Sequence, residues 1–338
     1  MSSQKAGPPR FSKSEGRTDM AYFTRRIFNS LILLILTISF VFFAGRMIGD
    51  PALNMLGPGA TPDALEKLRV VAGLNDPLWL QYMRYLAGLF TGDFGVSYRF
   101  GFSVLPSLDL EQIGQPVIDI VLERLPATFL LAGAALAIAV PLGVVMGVTA
   151  AARPRSIADR IVTVLSLAGI SVVQFWLGLM LIVFFAVQLG WLPTGGYGGF
   201  EYVILPAMTL AARPVGRIAQ VTRSAMLDEL EKPYVTTARA KGVEEYRVIY
   251  HHALKNASIP IVTMIGDETS ALLTGAILVE KIFAWPGIGL LIIDSLSRSD
   301  LPLIQASIAV VAALVVTVNL LVDFSYRFFK PEIALGRK

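Results

Sequence analysis

The stretch LPATFLLAGAALAIAVPLGVVMGVTAAA, Leu125 to Ala152, holds no charged side chain. A helix needs about 20 predominantly apolar residues to cross the hydrocarbon core of a bilayer, so this run predicts a membrane span. Ile27 to Gly45 and Leu301 to Val322 read the same way. Ile161 to Phe200 is long enough for a span followed by a Gly-rich loop, Gly195 to Gly199. Two further runs contain charges: Tyr202 to Met226 is interrupted by Arg213 and Arg217, and Ile259 to Val279 by Asp267 and Glu268. Their apolar surroundings still predict spans, giving an all-α integral membrane protein with six transmembrane helices.

Composition agrees. Hydrophobic residues make up 54% and charged residues 16% of the 338 positions, and the mean hydropathy is +0.63, too apolar for one or two soluble domains. There is no cysteine, which excludes disulfides and thiolate metal sites. The two histidines, His251 and His252, are adjacent and point in different directions on a helix, so no metal site is expected. The net charge of +4 is read by its location and not as a nucleic-acid footprint.

Basic residues near helix ends stay on the cytoplasmic side. Arg25 and Arg26 precede the first span, Arg153, Arg155 and Arg160 join the second to the third, and Arg327, Lys330, Arg337 and Lys338 follow the sixth. The segment between spans four and five is also basic, with Arg223, Lys232, Arg239, Lys241, Arg247 and Lys255, whereas 50–119 carries eight acids against four bases. Both termini are therefore expected in the cytoplasm. The expected order is a cytoplasmic, unstructured tail 1–26, helix 27–49, an extracytoplasmic segment 50–119, a core 120–329 with a cytoplasmic loop at about 224–258, and a tail 330–338. Thr24 to Phe28 looks like a twin-arginine export signal. The apolar run after it is too long and lacks a small-residue cleavage site, so an uncleaved anchor is expected. Met20 offers an alternative start, and no internal repeat is visible.

The cytoplasmic loop holds YVTTARAKG, Tyr234 to Gly242, then HHALKNASIP, His251 to Pro260. It reads as helical apart from Gly242, and an interior helical Gly costs about 1 kcal/mol relative to Ala. Gly242 thus marks a break between two short helices, or a close approach by another protein. Ala238 stands four residues earlier, on the same face if the helix is continuous.

These residues resemble the inner-membrane permeases of ABC importers for dipeptides, oligopeptides, nickel and related solutes. Ala238-Arg239-Ala240-Lys241-Gly242, followed by His252-Ala253-Leu254-Lys255-Asn256 and Pro260, looks like that family's EAA loop, with Thr236 where the general motif has Glu. Thr91 to Ser97 (TGDFGVS) looks like the family's extracytoplasmic signature, and Glu123 to Thr128 (ERLPAT) like the start of its second helix. Phe175 to Gly178, Gly190 to Pro193 and Val279 to Gly289 (VEKIFAWPGIG) match its third helix and the segment after the fifth. Phe100 to Gln115 is longer than the family's usual connection.

The resemblance implies a type I permease fold and a non-catalytic subunit that binds no cofactor. It further implies a second related permease, two ATP-binding subunits carrying ATP and Mg, and a soluble extracytoplasmic solute-binding protein. Thr237, Ala238, Arg239, Ala240, Lys241 and Gly242 would couple to the ATPase, and Asp93, Glu280, Trp285, Pro286 and Gly287 would form an outer gate or binding-protein contact. Peptides or similar small solutes are the implied cargo.

The chain has no G-x-x-x-x-G-K-[ST] loop, so ATP would be bound elsewhere. H-E-x-x-H and G-x-S-x-G are absent too, which leaves a membrane enzyme without machinery. An ion-coupled secondary transporter remains the alternative, with Asp267 and Glu268 as coupling acids. Arg213 lies roughly 17 Å in from the outer end of its span and Glu268 roughly 14 Å in from the inner end of its own, at about 1.5 Å per residue. Both reach the same depth, so Arg213 is expected to pair with Asp267 or Glu268 along the pathway, unless it snorkels and the acids face a partner.

Overall fold

A computed structural model describes residues 15–47, 52–53, 59–71, 73–97 and 115–329. The tail 330–338, the start of the N-terminal tail and most of Phe100 to Gln115 lie outside the described residues. Helix α1 spans Glu15–Met47. The tail expected to be unstructured as far as Arg26 is therefore helical from Glu15 onward. No proline interrupts the chain between Arg17 and Ala44, so the membrane helix extends past its apolar part. Two short helices follow, α2 at Pro62–Val71 and α3 at Leu78–Thr91. A two-residue ribbon then pairs β1, Val96–Ser97, with β2, Gln115–Pro116, antiparallel.

The bundle begins at α4, Val117–Ala152. The expected third span is two helices, α5 at Ile157–Ser171 and α6 at Gln174–Leu181 with a π-helical continuation through Gln188, bent by 104° at their junction. The bend is local in origin: Val172 and Val173 are extended (ψ 130° and 123°), a conformation that β-branched residues favour. Helix α7, Glu201–Leu230, runs through Pro206 and Pro214. On the next connection stand α8, Pro233–Ala240, and α9, Glu245–Arg247, which passes through a π segment, Val248–Ala253, into α10, Leu254–Ile282. Helices α11, Ile288–Ser297, and α12, Leu301–Phe329, complete the fold.

Four helical stretches among the described residues are long and apolar enough to cross a membrane, or five if the bent α5–α6 pair is one span. That is fewer than the six expected, because Arg213 and Arg217 make α7 less apolar than the other runs while leaving it helical. Packing makes α7 the centre. Gly143 and Gly147 of α4 meet it so closely that a Cβ on Gly147 would stand 2.5 Å from the Thr222 Cβ, and one on Gly143 2.8 Å from that of Ile218. Such small-residue seams let helix backbones approach where lipid removes the hydrophobic drive to associate. Leu131, Leu210, Ile218, Leu272, Val279 and Trp285 fill the core between α4, α7 and α10.

Candidate functional site

Two groups of residues gather at opposite ends of this bundle. At one end, α8 starts at Pro233, which suits the first helical position because its missing N–H needs no partner there. Val235 is fully buried and anchors the helix. The Tyr234 hydroxyl donates to the Glu229 carboxylate at 2.9 Å and accepts from the Asn256 amide at 3.1 Å, tying α8 to the ends of both α7 and α10. The helix stops at Ala240, and Gly242 takes φ +77° in the turn beyond it. Ala238 and Gly242 therefore do not share a helical face, because the left-handed turn intervenes. Across that turn Arg239 forks onto Glu245, with N···O distances of 3.1 and 2.6 Å. The guanidinium's hydrogen bonds hold the Glu245 carboxyl below its ordinary range. Thr237, Ala240, Lys241 and Gly242 are exposed, Ala238 is half-buried, and nothing lies within 4 Å of a Cβ built on Gly242.

At the other end the motifs that are far apart in sequence converge. Glu280 is fully buried; one carboxylate oxygen accepts from the Thr128 hydroxyl at 2.9 Å and the other from the Leu290 N–H at 3.0 Å. Thr128 in turn accepts from the Ile288 N–H at 2.9 Å. The Trp285 indole N–H donates to the Ala127 carbonyl at 2.9 Å, and its ring lies against Tyr197 at 5.0 Å. The Gly196 N–H reaches the Phe283 carbonyl at 2.7 Å. Glu123 to Thr128, Gly195 to Gly199 and Val279 to Gly289 thus form one hydrogen-bonded assembly. The signature Thr91 to Ser97 joins it from the side, where Ser97 donates to Asp300 at 2.5 Å beside the first turn of α12.

Burial bears on the contact half of the expected gate or contact. Glu280 and Trp285 are wholly enclosed, so they shape this end of the bundle from within and present no contact surface of their own. Asp93 is exposed, and its carboxylate accepts from the Gly95 N–H at 3.0 Å. Gly287 must stay small, because an added Cβ would overlap the Glu280 carboxylate.

Between the two ends lie the charges. Glu268 is 1% exposed and pairs with Arg217 at 2.6 Å, not with Arg213. One helical turn separates the two arginines, so sequence depth places both within reach and only the azimuth of α7 decides. Arg213 and Asp267 are exposed, and among the described residues neither makes an ion pair. Asp323 on α12 pairs with Arg26 on α1. Towards the α8 end, Arg223 forks onto Asp159 at 2.5 and 3.0 Å, fastening α5 to α7.

Residues 139–335 match the family model of the binding-protein-dependent transport system inner membrane component, and residues 20–132 match the N-terminal model of the same systems. The chain belongs to this family. Its relatives include the oligopeptide transport system permease protein AppB of Bacillus subtilis, 38% identical over 93% of this chain and 99% of that protein. The dipeptide transport system permease protein DppB of Lactococcus lactis is 36% identical over 93% and 99%. The glutathione transport system permease protein GsiC of Escherichia coli is 38% identical over 89% and 94%. A solved structure of the MetNI methionine ABC transporter in inward-facing form covers 63% of the chain at TM-score 0.46 and 20% identity.

The permease is accordingly a multi-pass inner-membrane subunit of a binding-protein-dependent transport system. Its family motifs were each legible in sequence, but their mutual contacts were not. The pairings Arg217–Glu268, Thr128–Glu280, Ser97–Asp300 and Asp159–Arg223 escaped the sequence reading. The residues themselves were visible: Arg217 as a second charge inside the fourth apolar run, and Thr128 and Ser97 within the motifs quoted above.

Proposed function

We propose that this permease forms half of the translocation pathway of an ABC importer for peptides or similar small solutes, and that the loop from Pro233 to Ala253 docks on an ATP-binding subunit. The complex would hold a second related permease, two ATPases carrying ATP and Mg, and a solute-binding protein at the outer face. Six crossings are proposed, by α1, α4, the α5–α6 pair, α7, α10 and α12, with both termini in the cytoplasm. Arg213 and Asp267 are the proposed pathway charges, since exposed ions at mid-span need a cavity or a partner. The relatives' names support peptide-like cargo. The ion-coupled alternative loses its main acid, because Glu268 is held by Arg217.

One observation carries the docking role: an exposed turn at Gly242, braced on both sides by Arg239–Glu245 and Tyr234–Asn256, sits on a segment tied to α7 and α10 together. A push on such a rigid turn moves both helices. Co-expression with the partner subunits provides the test. Gly242→Leu should insert normally yet lose co-purification of the ATPases, or lose solute-stimulated ATP turnover. Gly242→Ala, which meets only the backbone cost of positive φ, should lose less. Normal docking and turnover in Gly242→Leu would refute the role.

A further inference from the structure

Helix α3 is fixed to α1 at a depth where water is not the expected neighbour. Tyr82 shares a 2.6 Å hydrogen bond with Ser39 and stacks on Phe43 at 5.5 Å, while Tyr85 stacks on Phe42 at 5.2 Å. Ser39 lies about 9 Å inside the apolar run that ends at Gly45, at about 1.5 Å per residue. The side of α3 flanking this contact is apolar. Trp79 is 67%, Met83 58% and Phe90 86% exposed, at spacings that share one helical face. The one charge on the helix, Arg84, is paired with Asp76 at 2.5 Å.

We propose that α3 is an interfacial helix whose Trp79, Met83 and Phe90 face is immersed in the lipid leaflet at the end of α1 remote from the N-terminus. The occupant is lipid because the face continues an apolar surface that α1 already presents. Phe43, itself exposed, stacks on Tyr82 and connects that face to Phe40 (73% exposed) and Leu36 (61%). The most apolar part of α1 is only 11% buried, and a bilayer covers such a broad surface without shape complementarity. A Trp at the headgroup boundary and an apolar face sunk into the acyl region are what interfacial helices use. Immersion would hold the segment leading to Asp93 at a fixed height above the bundle.

The chain has no cysteine, so single labels can be placed directly. Trp79→Cys, Met83→Cys and Phe90→Cys would each carry a nitroxide in the assembled complex, reconstituted in phosphatidylethanolamine–phosphatidylglycerol vesicles. Leu36→Cys serves as the reference for α1, and Lys67→Cys, at an exposed position on α2, as the reference for water. The proposal expects frequent collision with oxygen at all three α3 sites and loss of the collision with a water-soluble nickel chelate seen at Lys67→Cys. Nickel access at the three sites would place the face in water, and exclusion of both reagents would place it against a partner subunit; either result overturns the proposal. Nickel access at Leu36→Cys would instead overturn the spanning reading of α1. Three independent positions keep the result readable if one variant fails to fold.

Discussion

Glu280 shows how a single carboxylate can organise a loop. It occupies both oxygens with Thr128 and Leu290, and the space left beside it admits only glycine at position 287. Gly287→Ala should lower the thermal unfolding midpoint of the purified complex, since overfilling a packed site costs about 1–3 kcal/mol. In a Glu280→Ala background the overlapping group is gone, so the same substitution should cost much less there. Equal costs in the two backgrounds would refute the steric account. The charge inside the bundle gives a second cycle. Arg217→Leu leaves Glu268 buried and unpaired, a loss of about 3–5 kcal/mol for a buried pair. The double variant Arg217→Leu/Glu268→Leu should recover part of that stability, whereas Arg213→Leu/Glu268→Leu should show little coupling. Recovery with Arg213 and not Arg217 would mean the observed pairing is wrong. Sequence located Glu268 because an acid in an apolar run stands out. It missed the partner because depth along a helix says nothing of the direction a side chain faces.

Helices were legible where apolar runs were uninterrupted, as in α4 and α12, and their ends were less so. The charge-bearing runs still became α7 and α10, since a charge that finds a partner leaves the hydrogen-bonded backbone of a helix intact. The bend between α5 and α6 was not foreseen, because Val172 and Val173 are as compatible with a helix crossing lipid as with a break. The glycine seam was legible but unread: Gly143 and Gly147 stand in a G-x-x-x-G spacing inside an apolar run, a pattern that marks close helix packing. It predicts that Gly147→Leu will force α4 from α7 at Thr222. Overpacking of this kind costs about 1–3 kcal/mol, visible as a lower unfolding midpoint and a smaller yield of assembled complex. Gly133→Ala, on the same helix, should be harmless by the same measurements, because nothing lies within 4 Å of a Cβ built at that position.

At the scale of the whole molecule the two ends differ in kind. One carries α8, the Gly242 turn and the Asp159–Arg223 fork; the other carries Asp93, the Glu280 assembly and Asp300. Following the chain through these contacts, α4 leaves the Thr128 end and finishes near Arg153, and α7 runs from Tyr202, beside the Gly195 to Gly199 loop, to Glu229 beside Tyr234. Helix α10 returns from Asn256 to Glu280, and α12 starts just after Asp300 and reaches the Arg26 pair with α1. Each of these four helices joins one end to the other, as the proposed six crossings would require, and the basic residues cluster at the Gly242 end. The positive-inside rule supports the proposal that this end is cytoplasmic. Since the chain lacks cysteine, a membrane-impermeant maleimide can report sidedness from Lys241→Cys and Asp93→Cys, both at exposed positions. In intact spheroplasts Asp93→Cys should react and Lys241→Cys should not; in inside-out vesicles the pattern should invert. Reaction of both from the same side would require an odd number of crossings to be lost between them, and the six-crossing arrangement would fall with it.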